Sequence, residues 1–433
     1  MTEAVADRAA ARVPPVPRPG SVGRSHGPEG FLGRATGWSF VIFAAALPVA
    51  MAPMNLAAGL CATLTLAFWL MRPGPRRVRT PLDLPALAWL GAMGLATLAA
   101  LDRASSAASL GKGLIPFVTG IVAWHAAERR RGAVAVATLL AVGSVVSLIG
   151  TARFLAAGGH FPAARGIGFT GTWMTFSFQL LLLASLAAAI ALTARERAWR
   201  LGALAAALLC GAGLVTSFTR SAWLGLTASL AIQLGLRKPR SLLVLAIVAS
   251  VAYVALPGEF GDRLRSAFDA GHPGNRERTL MWEAGVRAFR DHPVTGVGLQ
   301  NLTSLLERYN SPTASEHPAH VHSTYLQVAL STGTAGLLAF LVLCVALIRT
   351  SAAGPSGLRR GRGLGTGVRL GVTAGTVGFL FAALFDHAFG DEQLLFLLFT
   401  LAGIAWAARG WDADAGAAPA PAAGPPAREA TPA

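Results

Sequence analysis

About nine to twelve apolar stretches run along this chain, and short basic clusters occupy alternate gaps between them. Backbone inside a bilayer must satisfy its own hydrogen bonds, so stretches of this kind fold as helices packed in a membrane. The fold class expected is therefore an all-α polytopic membrane protein. Composition agrees: 53% of residues are hydrophobic and 13% charged, against about 25% charged in soluble domains. The net charge of +16 invites a nucleic-acid reading. The arginines, however, sit in small groups at the ends of apolar runs and not along one polar face, which excludes that partner.

A span needs about 20 apolar residues. Residues 38–71 are too long for one span and are broken by Pro48 and Pro53, so they read as two helices joined by a tight turn. Further spans are expected at 82–101, 110–127, 133–155, 173–194, 201–218, 222–236, 241–256, 325–348, 370–385 and 394–408, about 12 in all. Basic clusters near 72–79, 129–131, 195–200, 237–240 and 349–362 then share one side with both termini, the cytoplasmic side by the positive-inside rule. Segments 102–108, 156–172, 219–221, 257–322 and 386–392 fall on the other.

The organisation expected is a disordered tail over residues 1–36, nine spans over 37–256, a large polar segment over 257–322, three spans over 323–410 and a second tail over 411–433. Residues 1–36 lack the apolar core and cleavage site of a signal peptide. Cys61, Cys210 and Cys344 lie inside apolar stretches, where a lone thiol is a small hydrophobe, so neither a disulfide framework nor a thiolate metal site is indicated.

Polar chemistry concentrates in the segment 257–322, which holds five of the nine histidines and is nearly balanced, with seven Lys/Arg against eight Asp/Glu. Just before it, Thr219-Arg220-Ser221-Ala222-Trp223 places an arginine between two apolar runs. Arg220 reads either as a snorkelling interfacial residue or as an anion site, since a guanidinium is a permanently charged planar fork. Asn275-Arg276-Glu277-Arg278-Thr279-Leu280-Met281-Trp282 opens an amphipathic helix to about Arg290, with Asn275 as N-cap and Leu280, Ala284 and Phe289 on one face beside Trp282 and Val286. Cations at a helix start oppose the macrodipole unless they pair locally, with Glu277 or Glu283, or hold an anion such as a pyrophosphate.

Three histidines follow in His317-Pro318-Ala319-His320-Val321-His322. Pro318 rules out a regular helix there, and no carboxylate or thiol joins them in a recognised zinc spacing, so no metal or cofactor is expected. His322, at the mouth of a span, is placed to act as a general base or to hold a phosphate; simple solvation is the alternative. Asp386, His387, Asp391 and Glu392 gather in the last turn, where binding an acceptor and solvating the turn are both open.

Thr219-Arg220-Ser221-Ala222-Trp223, Arg278-x-x-x-Trp282, Asp291-His292-Pro293-Val294-Thr295-Gly296-Val297-Gly298 and His322-x-x-Tyr325-Leu326-Gln327 with Gly333 and Gly336 occur here in this order. Together they resemble the O-antigen ligase and polymerase superfamily of bacterial envelope glycosyltransferases. The resemblance implies a GT-C-like fold of the inner membrane with one large periplasmic loop carrying short helices. It implies a donor on undecaprenyl pyrophosphate and, for a ligase, an acceptor hydroxyl on lipid A–core in lipopolysaccharide biosynthesis; a polymerase extending another lipid-linked glycan is the alternative. Arg220 and Arg278 match the arginines for the donor pyrophosphate, and His322 matches the central histidine. The family commonly has His-Asn where this chain has His322-Ser323.

Charge and sidedness add Arg276, Arg265, Arg165 and His320 as further candidate donor contacts. With no obvious carboxylate nucleophile beside the arginines, a single inverting, metal-independent displacement is expected. Gly, Ala and Leu along the spans are expected to leave a lateral groove for the polyprenyl tail among membrane lipids. A transporter or flippase is disfavoured, because the spans are nearly uncharged and the polar groups gather outside them.

Overall fold

The computed structural model describes residues 28–71, 78–299, 302–311, 320–352 and 355–412. The described residues are helical and loop, with no strand among them, and form an all-α polytopic membrane protein. The helices are α1 (Pro28–Ala46), α2 (Met51–Met71), α3 (Asp83–Leu98), α4 (Arg103–Ser109), α5 (Val118–Ala126), α6 (Arg129–Ala156), α7 (Trp173–Thr193), α8 (Arg197–Thr216), α9 (Arg220–Arg237), α10 (Ser241–Ala255), α11 (Gly258–Arg265), α12 (Pro273–Asp291), α13 (Thr303–Tyr309), α14 (Thr324–Ala352), α15 (Pro355–Arg360), α16 (Leu364–Ala382) and α17 (Glu392–Ala407), with a 3-10 segment, Leu110–Phe117, leading into α5.

Every apolar window of the sequence is helical, and the described helices differ in how fully their length and composition suit a bilayer crossing. Among the described residues seven helical stretches are long and apolar enough to cross, or eight if α10 and α11, bent 112° from each other, form one broken span. The windows run past the helix ends: α3 and α17 have 16 residues each, about 24 Å at 1.5 Å per residue, short of the roughly 30 Å hydrocarbon layer. At the amino end α1 begins at Pro28, inside the stretch the sequence reading gives to a tail. Most of the arginine-rich connector 72–79, with His317, lies outside the described residues.

α7 and α16 form the centre and are buried along most of their length. α16 carries Gly367, Gly371, Gly375 and Gly378 at helical spacing, and this stripe brings it against α7 and α9. A Cβ on Gly371 would lie 2.6 Å from Leu186 Cα, and one on Gly225 2.6 Å from the Gly378 carbonyl oxygen. Small residues let backbones approach in this way and supply packing where lipid provides no hydrophobic drive. Gly225→Ala is therefore expected to cost about 1–3 kcal/mol by overpacking, read as a lower thermal midpoint in detergent. Gly202→Ala on α8, where a Cβ meets nothing within 4 Å, should be neutral or mildly stabilising.

Polar side chains repair the backbone where helices break. Between α1 and α2, Gln393 Nε2 donates to the Leu47 carbonyl (2.8 Å) and Gln179 Nε2 to the Pro48 carbonyl (2.8 Å). In α14, Gly333 breaks the helix at φ 68°. The freed carbonyls of Leu330 and Ser331 accept from Val297 N (2.9 Å) and Gly298 N (3.0 Å). The Asp291–Gly298 motif is thus the splint for the Gly333 break. Gly296 and Gly298 are both at positive φ; a Cβ on Gly296 would strike this joint, and one on Gly298 would strike Ala100 and Ser106.

α10 buries none of its residues against the rest of the chain. Beyond it the described residues of 257–322 fold over one end of the bundle around a small core, in which Ala284 and Ala288 of α12 meet Val297, Leu302, Leu305, Leu306, Val321 and Leu330. The buried stripe of α12 is Met281, Ala284, Gly285 and Ala288; Val286, placed beside that face by periodicity, is exposed. The loops expected on opposite sides do gather at opposite ends. Leu101 N reaches Val297 O and Gly166 N reaches Thr216 O at one end; Arg129 pairs with Glu196 and Trp411 Nε1 reaches Ala126 O at the other.

Candidate active site

Four elements meet under the cap: the start of α9 with Arg220, α12 with Arg278, the residues before α14 with His322, and the turn before α17 with Asp386. Asp386 is 4% exposed although it is an acid. Its Oδ1 accepts from Arg278 Nη2 (3.2 Å) and faces His322 Nδ1 (3.3 Å), and its Oδ2 accepts from Ser221 Oγ. Burial alone would raise this carboxyl, but hydrogen bonds from His322 and Ser221 and the Arg278 charge outweigh it and hold Asp386 below the usual carboxylate range.

The backbone around His322 is fixed as firmly as its ring. Its φ of 46° is a left-handed value that costs a non-glycine residue of order 1 kcal/mol. Trp282 Nε1 donates to the His322 carbonyl (3.4 Å), and Gln327 Oε1 accepts from Val321 N (3.1 Å). Thr324 ties the Asp386 turn to this corner: Thr324 N donates to Ala383 O (2.9 Å), its Oγ1 donates to Asp386 O (3.0 Å), and Ala388 N donates to that Oγ1 (3.2 Å). Phe218, at φ 53°, is the other non-glycine residue with positive φ among the described residues. It stands two positions before Arg220, so both strained positions belong to this site.

Arg220 is 6% exposed. It donates through Nη1 to Ser266 O (2.6 Å) and Oγ (3.1 Å), and through Nη2 to Asn275 Oδ1 (2.7 Å). It is therefore not a snorkelling arginine. Asn275, read from sequence as the N-cap of α12, instead serves Arg220; the cap is His272, whose Nδ1 accepts from Gly274 N (3.2 Å).

Arg165 and Arg263 complete the cluster. Burial first, then the nearby Arg220, Arg165 and Arg278, push the Arg263 guanidinium down to about 10, so it stays charged at neutral pH. Burial also lowers Arg165, against the opposing pull of Asp386. Four guanidinium groups thus gather around one carboxylate, a strong surplus of positive charge in a partly desolvated place.

Of the residues proposed from sequence, Arg220, Arg278, His322, Arg165 and His320 come together, and Arg265 and Arg276 do not. Arg265 pairs with Asp262 (2.7 Å) and donates to the Tyr253 (3.2 Å) and Leu256 (3.3 Å) carbonyls at the end of α10. Arg276 is exposed. Residues two apart on a helix point about 200° away from each other, which puts Arg263 and Arg278 inward where Arg265 and Arg276 cannot be.

His320 lies edge-on to His322 (centroids 4.4 Å) and beside His387 (5.5 Å). Burial and then His322 push His320 down to about 4; burial, then His320 and Lys112, push His387 to about 3. Both folded values lie below the unfolded value near 6.5, so the unfolded chain takes up protons first as pH falls. Stability is expected to be full above pH 6.5 and to decline as pH drops from about 6.5 toward 4. His387→Gln should flatten that decline in a pH series of thermal midpoints.

Arg263 was not expected from the sequence, and Asp386 was named only with the last turn, as acceptor-binding or solvating, and not as the partner of His322. Asp386 lies far along the chain from His322, and its signal is a carboxylate at the end of an otherwise uncharged span. Among the described residues no group of three or more His, Cys, Asp or Glu has the arrangement to hold a metal ion.

Residues 205–341 match the model of a family described as O-antigen ligase, a stretch of about a third of the chain. It holds Arg220, Arg263, Arg278 and His322, whereas Arg165 and Asp386 reach the site from outside it. No curated protein matches the chain. The segment that supplies three of the four clustered guanidiniums and the strained histidine is thus similar to the O-antigen ligase family.

Proposed function

We propose that this protein is an O-antigen ligase that transfers a glycan from undecaprenyl pyrophosphate to a sugar hydroxyl of lipid A–core. The observation that carries the reading is the set of four guanidiniums beside a carboxylate-anchored histidine at one end of the bundle. In this reading that end faces the periplasm across the inner membrane, the basic end faces the cytoplasm, and the segment 257–322 is the periplasmic catalytic loop.

The chemistry follows from charge and tautomer. Arg165, Arg220, Arg263 and Arg278 hold the donor diphosphate. His322 donates its Nδ1–H to Asp386, which leaves Nε2 with a lone pair for the acceptor hydroxyl. As the acceptor oxygen bonds to the anomeric carbon, its proton passes to Nε2. The bond to the phosphate oxygen breaks, and its electron pair stays on the leaving diphosphate. The guanidiniums stabilise the charge that concentrates there, as preorganised donors do without reorganising at the moment of reaction. One displacement inverts the anomeric configuration.

Purified protein should transfer glycan from a lipid-linked donor to rough lipopolysaccharide. His322→Ala should lower the rate by about 10²–10⁴, the range of general-base catalysis, and undiminished transfer would remove the assignment. Deletion in cells separates ligase from polymerase: loss of a ligase leaves unattached lipid-linked polymer, and loss of a polymerase leaves single repeats on the core.

A further inference from the structure

We propose that Phe161 is a positioning residue of the donor site, an aromatic mount that holds the Arg165 and Arg263 guanidiniums together while leaving their N–H groups for the diphosphate. The inference rests on the donor reading above and adds to it how two of the arginines are held.

Phe161 lies in the loop between α6 and α7, outside the family-matched segment. The guanidinium carbon of Arg165 sits 4.8 Å from the Phe161 ring centroid and 4.4 Å from that of Trp173. Arg263, from α11, sits 4.8 Å from the same Phe161 ring. Phe161 in turn stacks on Phe218 (4.8 Å, 21°), which stacks on Phe260 (4.5 Å, 26°). The mount is therefore anchored to the strained residue before Arg220 and to α11 itself. Glu259 clamps it: Oε2 accepts from Phe161 N (2.6 Å), and Oε1 faces His160 Nδ1 (3.3 Å).

Two neighbouring guanidiniums repel and need an electron-rich partner. A carboxylate would supply one, but it would occupy the N–H donors and cancel the charge that a diphosphate requires. A ring face attracts the cation through its quadrupole and takes no N–H group. Arg165 accordingly makes no hydrogen bond among the described residues, and Arg263 spends only Nε, on Phe218 O (3.1 Å). The donors that remain lie in the planes of the two guanidinium forks, the geometry that bridging phosphate oxygens accept.

Phe161 touches neither phosphate nor reacting atoms in this account, so its loss should weaken donor binding and spare the chemical step. The test uses the full-length protein in nanodiscs, with farnesyl pyrophosphate as the binding probe and donor KM and kcat from transfer assays. Phe161→Leu is expected to weaken probe binding and raise donor KM about tenfold with kcat within twofold; Phe161→Tyr should restore both. Trp173→Leu, at a ring that is 47% exposed, should weaken binding about fivefold, with rescue by Trp173→Phe.

Wild-type affinity in both leucine variants would overturn the mount, as would a fall in kcat at constant KM. Failure of the donor reading looks different: folded wild-type protein would not bind the probe, or Arg220→Ala and Arg263→Ala would bind it as wild type does.

Discussion

Asp386→Asn is expected to lower kcat about a thousandfold or more, with the protein still folded and its donor affinity changed only a few fold. The carboxylate does two things that an amide cannot. Its Oδ1 faces His322 Nδ1 at 3.3 Å and accepts from Arg278 Nη2 at 3.2 Å, so it fixes the tautomer that leaves Nε2 basic and stabilises the imidazolium once it forms. An asparagine can turn its NH₂ toward Nδ1 and select the opposite tautomer; in the serine-protease triad the same change costs about 10⁴ in kcat. The carboxylate is also the negative charge set among four guanidiniums. Steady-state kinetics with thermal midpoints on the same preparations make the check. A variant with wild-type kcat would show that His322 is not oriented by Asp386.

The second large effect is expected at Arg220. Arg220→Ala should reduce kcat/KM about 10²–10³, the range seen when one preorganised donor to a developing charge is removed. The side chain joins the start of α9 to Ser266, just past α11, and to Asn275 in α12, so it orders the segments that carry Arg263 and Arg278 as well as adding its own charge. Removal leaves buried acceptors unpaired, at a cost of about 1–3 kcal/mol, so stability should fall together with activity. Arg220→Lys should not rescue: one ammonium has neither the fork nor the reach to serve Ser266 and Asn275 and still face a phosphate. Full activity in the lysine variant would leave Arg220 as a generic positive charge.

How much of this was legible in the chain differs from residue to residue. The spacing of apolar runs and Pro48 with Pro53 located the helices and the α1–α2 break, because burial in lipid acts locally along the sequence. The ends of the helices were not legible. Apolar windows do not show where a helix stops, and α3 and α17 stop short. Arg220 and His322 stood out because each interrupts or borders an apolar run, and Arg278 because it is a cation near the start of an amphipathic helix.

Roles defined by tertiary contact were not legible. Asp386 gains its meaning only when the turn before α17 is sewn to Thr324. Arg263 and Arg265 are equivalent by charge and sidedness, and only the rotation of α11 separates them, one facing the cluster and one capping α10. The glycines of the Asp291–Gly298 motif entered only as part of the family resemblance; the motif's role as a splint depends on the break at Gly333.

The central claim is that the guanidinium cluster under the cap binds a lipid diphosphate. A structure of the protein with undecaprenyl pyrophosphate tests it most directly. The account predicts both phosphates within hydrogen-bonding distance of Arg165, Arg220, Arg263 and Arg278, with the first sugar carbon facing His322 Nε2. Phosphates bound instead at the opposite end, in the pocket lined by Arg129, Arg195 and Arg362, would contradict it.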